Sequence, residues 1–257
     1  MERPRLKKSL GQHHLREPGL CRPLIDFLRP RGDDVVEVGP GGGVLTEALL
    51  GVGARVTAWE LDRAWAFAVA RRLPREDLRV VIGDALDLPW DRLPRGCKVA
   101  GNLPYNVATP LLDAMLGAGQ RIAAIGVLLQ LEVAERLVAP PGSKVYGALS
   151  VLTQARAVPR ILARVLPGSF VPPPKVGSAF VGLAPRQDQP SAERLAELRR
   201  LVYAAFGQRR KTLRNALGAR WPREQVVAAI EDAGLTADVR AEQVPLAVFL
   251  ELSDLLR

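Results

Sequence analysis

Five short apolar runs, separated by segments of helical pattern, constrain this chain more than any other feature. DDVVEV (33–38), RVTAWE (55–60), RVVIGD (79–84), KVAGN (98–102) and RIAAIGVLLQ (121–130) are rich in β-branched residues and read as strands. TEALLGVG, DRAWAFAVARRL and a stretch from about Pro110 to Leu116 read as the helices between them. Strands that alternate with helices call for right-handed crossovers and a mostly parallel sheet. RILARVL (160–166) and SAFVGLA (178–184) add two strands around a proline-rich loop, FVPPPK, and close the sheet. Beyond Pro185 the pattern becomes helical: Ser191 is an N-cap candidate, Pro222 starts a helix and Gly234 ends it. Val244, Ala247, Val248, Leu252 and Leu255 line one face of a last helix. The expected organisation is an α/β domain over residues 1–185 with a basic N-terminal arm, then a small all-helical domain over residues 186–257.

Composition narrows the functional classes. The longest apolar run, Ile122 to Leu131, is far short of the roughly 18 residues that span a bilayer, so no membrane partner is expected. MERPRLKKSLGQHH is basic but lacks the apolar segment of a secretory signal. Two cysteines, Cys21 and Cys97, and two adjacent histidines, His13 and His14, provide neither a disulfide framework nor metal-ligand spacing. A cytoplasmic protein without a metal is expected. The net charge of +9 points to a polyanion, nucleic acid before membrane. Arg5, Lys7 and Lys8 cluster near the start, and Arg209, Arg210, Lys211 and Arg214 near the middle of the helical region. Both clusters are candidate RNA-binding groups, with solvated helix faces as the competing reading.

In an open parallel sheet, ligands bind beyond the C-terminal strand ends. Four consecutive predicted strands here finish on polar or glycine residues: Glu37 and the loop with Gly39, Gly41 and Gly43, then Glu60, then Gly83-Asp84, then Asn102. Gly39 and Gly41 allow close backbone approach to a ligand, although a tight turn without a ligand would also use them. Glu60 follows at the spacing of about 20 residues at which an acid grips ribose hydroxyls, or it is a solvated strand-end carboxylate. Asp84 is placed for an adenine exocyclic amine, or it caps a helix. Val44 stands at the third glycine of the dinucleotide fingerprint. S-adenosylmethionine, which has adenine and ribose but no pyrophosphate, fits this set better than a nicotinamide cofactor.

Asn102-Leu103-Pro104-Tyr105 closes the fourth of these strands. An exocyclic adenine N6 is a weak nucleophile because its lone pair is delocalised into the ring. The Asn102 side-chain oxygen and the Leu103 carbonyl can accept its two N–H protons. Pro104 lacks an N–H and biases Leu103 toward extended geometry, and Tyr105 can stack on an unpaired base. An Asn-x-Pro turn with a buried tyrosine is the plainer reading.

Together these segments resemble the ribosomal RNA adenine N6-dimethyltransferases over almost the whole chain. KKSLGQHHL is similar to that family's KKSLGQNFL; EVGPGGGVLTEAL, WELDR, GDAL and NLPYN resemble its cofactor and target motifs. LEVAERLVAPPGSKVYGALSVLTQ, FVPPPKVGSAF and AFGQRRKTLRNAL resemble its later signatures. The resemblance implies a Rossmann-like, S-adenosylmethionine-dependent methyltransferase sheet with a helical RNA-binding domain. It implies dimethylation of adjacent adenines near the 3′ end of small-subunit ribosomal RNA by a monomer acting during ribosome maturation. It also implies cofactor contacts at His13, Leu15, Gly39, Glu60, Asp84 and Asn102. Tyr105 and Phe170 would sandwich the target base, with Phe170 an ordinary core aromatic as the alternative. Glu37 and Gly41 join the cofactor set through the glycine-loop motif.

The chain departs from the family pattern at His13 (usually Asn), His14 (usually Phe), Gly42 (usually apolar), Leu131 (usually basic) and Gly177 (usually larger). Three rival functions remain at this level. They are a large-subunit adenine methyltransferase of the antibiotic-resistance type, a non-catalytic RNA-binding assembly factor on the same fold, and a nicotinamide-dependent oxidoreductase.

Overall fold

A computed structural model describes residues 4–7, 11–208 and 210–257. Lys8 and Arg209 of the expected basic clusters lie outside the described residues. The chain divides into two compact units, residues 1–134 with 158–187, and residues 135–157 with 188–257.

The first unit is a seven-stranded sheet. Its strands are β2 (Asp34–Val38), β3 (Arg55–Glu60), β4 (Leu78–Ile82), β5 (Cys97–Asn102), β6 (Ile122–Gln130), β7 (Ala157–Val165) and β9 (Ser178–Pro185), in the spatial order 4-3-2-5-6-9-7. Strands β2 to β6 pair in parallel, and β9 runs antiparallel to β6. Each apolar run of the sequence thus became a strand, and α2 (Val44–Gly51), α3 (Arg63–Arg72) and α4 (Ala108–Gly117) lie between strands as the period required. The buried faces of Val35, Val56, Ala58, Ala100 and Leu128 meet Leu24, Leu28, Leu45 and Leu49 in one core. Leu24 and Leu28 come from α1 (Arg22–Leu28), a helix the sequence reading did not find because its seven residues begin on Arg22-Pro23 and show barely two apolar turns.

Chain direction in the sheet diverges between β2 and β5, which are adjacent in space but far apart in sequence. That is the topological switch point at which an open sheet leaves a crevice. A short antiparallel ladder covers the region nearby: β1 (His14–Leu15) pairs with β8 (Phe170–Val171), joining the N-terminal arm to the loop FVPPPK.

The second unit is helical. It contains α5 from its fifth residue on (α5 is Leu131–Val138), α6 (Ala148–Gln154), α7 (Ala192–Phe206), α8 (Leu213–Leu217), α9 (Arg223–Asp232) and α10 (Leu246–Leu255). Ser191 caps α7, its hydroxyl accepting from the Arg194 N–H at 3.2 Å. Residues 135–157, placed with the sheet by the sequence reading, pack instead with these helices. Tyr146, Val151 and Leu152 share a core with Leu201, Val202, Val244 and Phe249, and the Tyr146 hydroxyl donates to the Val244 carbonyl at 3.0 Å. Among the described residues no helix is long and apolar enough to cross a membrane.

Candidate active site

The switch-point crevice is a cavity of about 200 Å³, and it gathers residues from every strand end singled out in the sequence. Gly39 and Gly41 line it from the loop after β2, Glu60 from β3, Asp84 from beyond β4, and Asn102 to Tyr105 from beyond β5. Gln12, His13 and His14 of the arm complete the wall.

Glu60 is both a ligand candidate and a structural anchor. One carboxylate oxygen accepts the Gly41 N–H at 3.0 Å and the other the Asp62 N–H at 2.8 Å. Burial raises its pKa, and these two N–H groups partly offset the rise. Gly39 and Gly41 hold φ values of 68° and 48°, left-handed backbone that glycine adopts without strain. Asp84 caps the turn, Oδ1 accepting from the Leu86 N–H at 2.9 Å, and the residue also lines the cavity.

Asn102 ends β5, and its side chain is oriented from a distance. Nδ2 donates to the His13 carbonyl at 2.7 Å, which settles the amide orientation because a carbonyl can only accept. Oδ1 is thereby left as the free acceptor of the amide. The His13 imidazole is held by its Nδ1–H, which donates to the Pro172 carbonyl at 2.8 Å. It lies nearly parallel to Tyr105, with ring centroids 5.6 Å apart and planes 23° from parallel. The Tyr105 hydroxyl shares a 3.0 Å hydrogen bond with Ser178 Oγ, so the ring is fixed at both its face and its tip.

Four expected site residues are placed differently. Phe170 is 1% exposed, sits in the sheet core and does not line the cavity, because its strand pairs with Leu15 and turns the ring inward. Leu15 and Glu37 are also buried, and they line a separate cavity of about 20 Å³ behind the glycine loop, room for roughly one water. Burial pushes the Glu37 pKa up to about 8, with a further rise from the nearby Glu60 charge. Lys7, expected to grip RNA, lies 3.0 Å from the Asp62 carboxylate, one residue beyond the cavity-lining Leu61. Arg5, Arg210 and Lys211 are exposed, and Arg214 is half-buried.

The sequence reading missed Gln12, Trp59, Leu61 and Asn106, all of which line the cavity. Leu61 carried a usable signal: a large apolar residue directly after a strand-end acid, 52% exposed, offers a flat base an apolar face. Trp59 lies on the face of its strand opposite the buried Val56 and Ala58. Its ring packs on Gly83, where a Cβ would come within 2.9 Å of Cζ3. The departures at His14 and Gly42 belong to one packing event: a Cβ on Gly42 would stand 3.2 Å from His14 Nδ1, and the same ring meets Trp65 edge-on at 4.3 Å.

The family model described as ribosomal RNA adenine dimethylase matches residues 3–257. The chain belongs to that family. It is 44% identical over 254 residues to the ribosomal RNA small subunit methyltransferase A of Phenylobacterium zucineum, an alignment covering 96% of this chain and 87% of the relative. In fold it is similar to a dimethyladenosine transferase from Plasmodium falciparum, with a TM-score of 0.82, 24% identity, and 93% and 96% of the two chains covered. It is also similar to the 23S rRNA methyltransferase ErmE, with a TM-score of 0.74, 26% identity, and 94% and 98% covered. The Rossmann-like α/β fold and the assignment as an S-adenosylmethionine-dependent methyltransferase follow from this membership. The cavity suits that methyl donor: two carboxylates line it for hydroxyl and amine groups, backbone glycines allow close approach, and Leu61 offers an apolar wall.

Proposed function

We propose that the enzyme methylates adenine N6 in small-subunit ribosomal RNA, twice per base, and that Asn102 with the Leu103 carbonyl forms the amine grip. The supporting observation is the 2.7 Å bond from Asn102 Nδ2 to the His13 carbonyl, which commits the amide nitrogen and presents Oδ1 as an acceptor. S-adenosylmethionine, when bound, supplies an electrophilic methyl group on a cationic sulfur. The protein's own part is to bind and orient. Asn102 Oδ1 accepts one N6 proton and the Leu103 carbonyl the other, drawing the nitrogen toward a tetrahedral geometry in which its lone pair is available. Pro104 lacks an N–H and holds that carbonyl outward, while Tyr105 stacks on the extruded base. Glu60 and Asp84 take the ribose and adenine of the methyl donor. Arg5, Arg210, Lys211 and Arg214 contact phosphates, which makes RNA binding steeply salt-dependent. The sheet unit carries the chemistry and the helical unit binds RNA.

The small-subunit assignment rests on the Phenylobacterium relative's name at 44% identity. The likeness to ErmE at 26% favours large-subunit RNA as the second reading. Mass spectrometry of ribosomal RNA from a deletion strain, complemented with wild type or Asn102→Ala, tests both. Loss of dimethyladenosine from small-subunit RNA is expected, restored by wild type only. In vitro, Asn102→Ala should lower kcat about 10²-fold or more, the scale for one lost transition-state hydrogen bond. Robust turnover by Asn102→Ala would overturn the grip, and loss confined to large-subunit RNA would favour the second reading.

A further inference from the structure

The most informative group that this reaction leaves unused is Lys7. It is a cation near the start of a basic arm and would be expected to contact RNA, yet the fold engages it elsewhere. Its Nζ lies 3.0 Å from Asp62 Oδ2, and the Asp62 side chain is 2% exposed while that of Lys7 is 58% exposed. The Lys7 N–H also donates to Gln12 Oε1 at 2.8 Å, and Gln12 lines the cofactor cavity.

Asp62 is buried, and only one of its carboxylate oxygens is hydrogen-bonded. Oδ1 accepts the Ala64 N–H at 3.0 Å and caps α3, and its own N–H donates to Glu60. Burial alone would favour its neutral form, but the Lys7 ammonium and the Ala64 N–H more than reverse that and hold its pKa below the usual range. The Asp62 charge in turn raises the pKa of Glu60. A continuous path therefore runs from Lys7 through Asp62 and Glu60 to the Gly41 N–H, linking the N-terminal arm to the glycine loop.

We propose that Lys7 is a positioning residue for the methyl donor and not an RNA contact: its ammonium offsets the buried Asp62 charge that opposes the Glu60 carboxylate, and it ties the arm to the Glu60–Asp62 turn beside the cavity. This rests on the assignment of that cavity to S-adenosylmethionine. Without the ammonium, a buried carboxylate faces Glu60 uncompensated, and the two either repel or take up a proton. Either outcome weakens the acceptor that grips ribose. Lys7 itself is more than half exposed, so water and salt moderate the effect, and a loss of about tenfold in cofactor affinity is expected.

The experiment is calorimetry with S-adenosylmethionine on the full chain as wild type, Lys7→Met, Lys7→Arg, Asp62→Asn and the double variant Lys7→Met/Asp62→Asn, with filter binding of ribosomal RNA in parallel. Lys7→Met should weaken cofactor binding about tenfold. Lys7→Arg should restore most of it, and the double variant should lose little more than Asp62→Asn alone, with RNA affinity and its salt slope unchanged throughout. Unchanged cofactor affinity in Lys7→Met would overturn the proposal. So would a lowered RNA salt slope in that variant, the signature of a lost phosphate contact. Failure of wild type to bind S-adenosylmethionine at all would instead overturn the assignment of the cavity, and the proposal with it.

Discussion

Gly41→Ala tests whether the glycine loop is shaped by the arm as well as by the ligand. Two independent costs act at this position. The residue has φ 48°, where alanine is strained by roughly 1 to 2 kcal/mol. Its new Cβ would also meet the His14 ring at 2.7 Å from Nε2, 3.0 Å from Cδ2 and 3.2 Å from Cε1, distances at which the ring must move. Overpacking of that kind costs about 1 to 3 kcal/mol, less where a half-buried ring can swing aside. The sum is a loss of about 2 to 5 kcal/mol in stability, with weaker cofactor binding because the Gly41 N–H holds Glu60 at 3.0 Å.

The costs separate in a double-mutant cycle with His14→Ala. Removing the ring relieves the clash and leaves the backbone strain, so Gly41→Ala should be rescued only in part. Gly42 is the control. Its φ lies outside the left-handed region and its added Cβ would stand 3.2 Å from His14 Nδ1, so Gly42→Ala should cost less and be rescued almost wholly. Urea denaturation and calorimetry with S-adenosylmethionine read the two effects. Equal costs for Gly42→Ala in the presence and absence of the His14 ring would refute the claim that the arm packs on this loop.

Other outcomes follow from buried titratable groups. Burial raises Glu37 to about 8 in the folded protein, so the native state binds the extra proton and stability should fall as pH rises from about 4.5 through about 8; Glu37→Gln should flatten that decline in denaturation followed by circular dichroism. Burial also pushes the thiols up, Cys21 to about 12 and Cys97 to about 11, so neither should react with a thiol reagent at neutral pH until the protein unfolds; fast labelling of the native state would contradict the packing.

The sheet was readable because its signals are local. Val35, Val36 and Val38 mark β2 by themselves, and the polar ends at Glu60, Asp84 and Asn102 sit where parallel-sheet geometry needs ligand groups. The division into units was less readable, since nothing local in VYGALSVLTQ tells which core Tyr146 and Val151 will join. Phe170 shows the opposite limit. Its motif places the residue beside the site, but ladder pairing with Leu15 decides which way the ring points, and it points into the core.

The arm was the least legible part, because every contact that gives it meaning is long in sequence. His13 reaches Pro172 across 159 positions and Asn102 across 89, so no spacing rule connects them. The bond to Asn102 uses a backbone carbonyl, which any residue at position 13 supplies. Replacement of the family's asparagine by His13 therefore leaves the amide grip intact and changes only what the side chain does, which here is to bond Pro172 and lie against Tyr105. The departure at His13 falls on the one part of residue 13 that the Asn102 grip does not use.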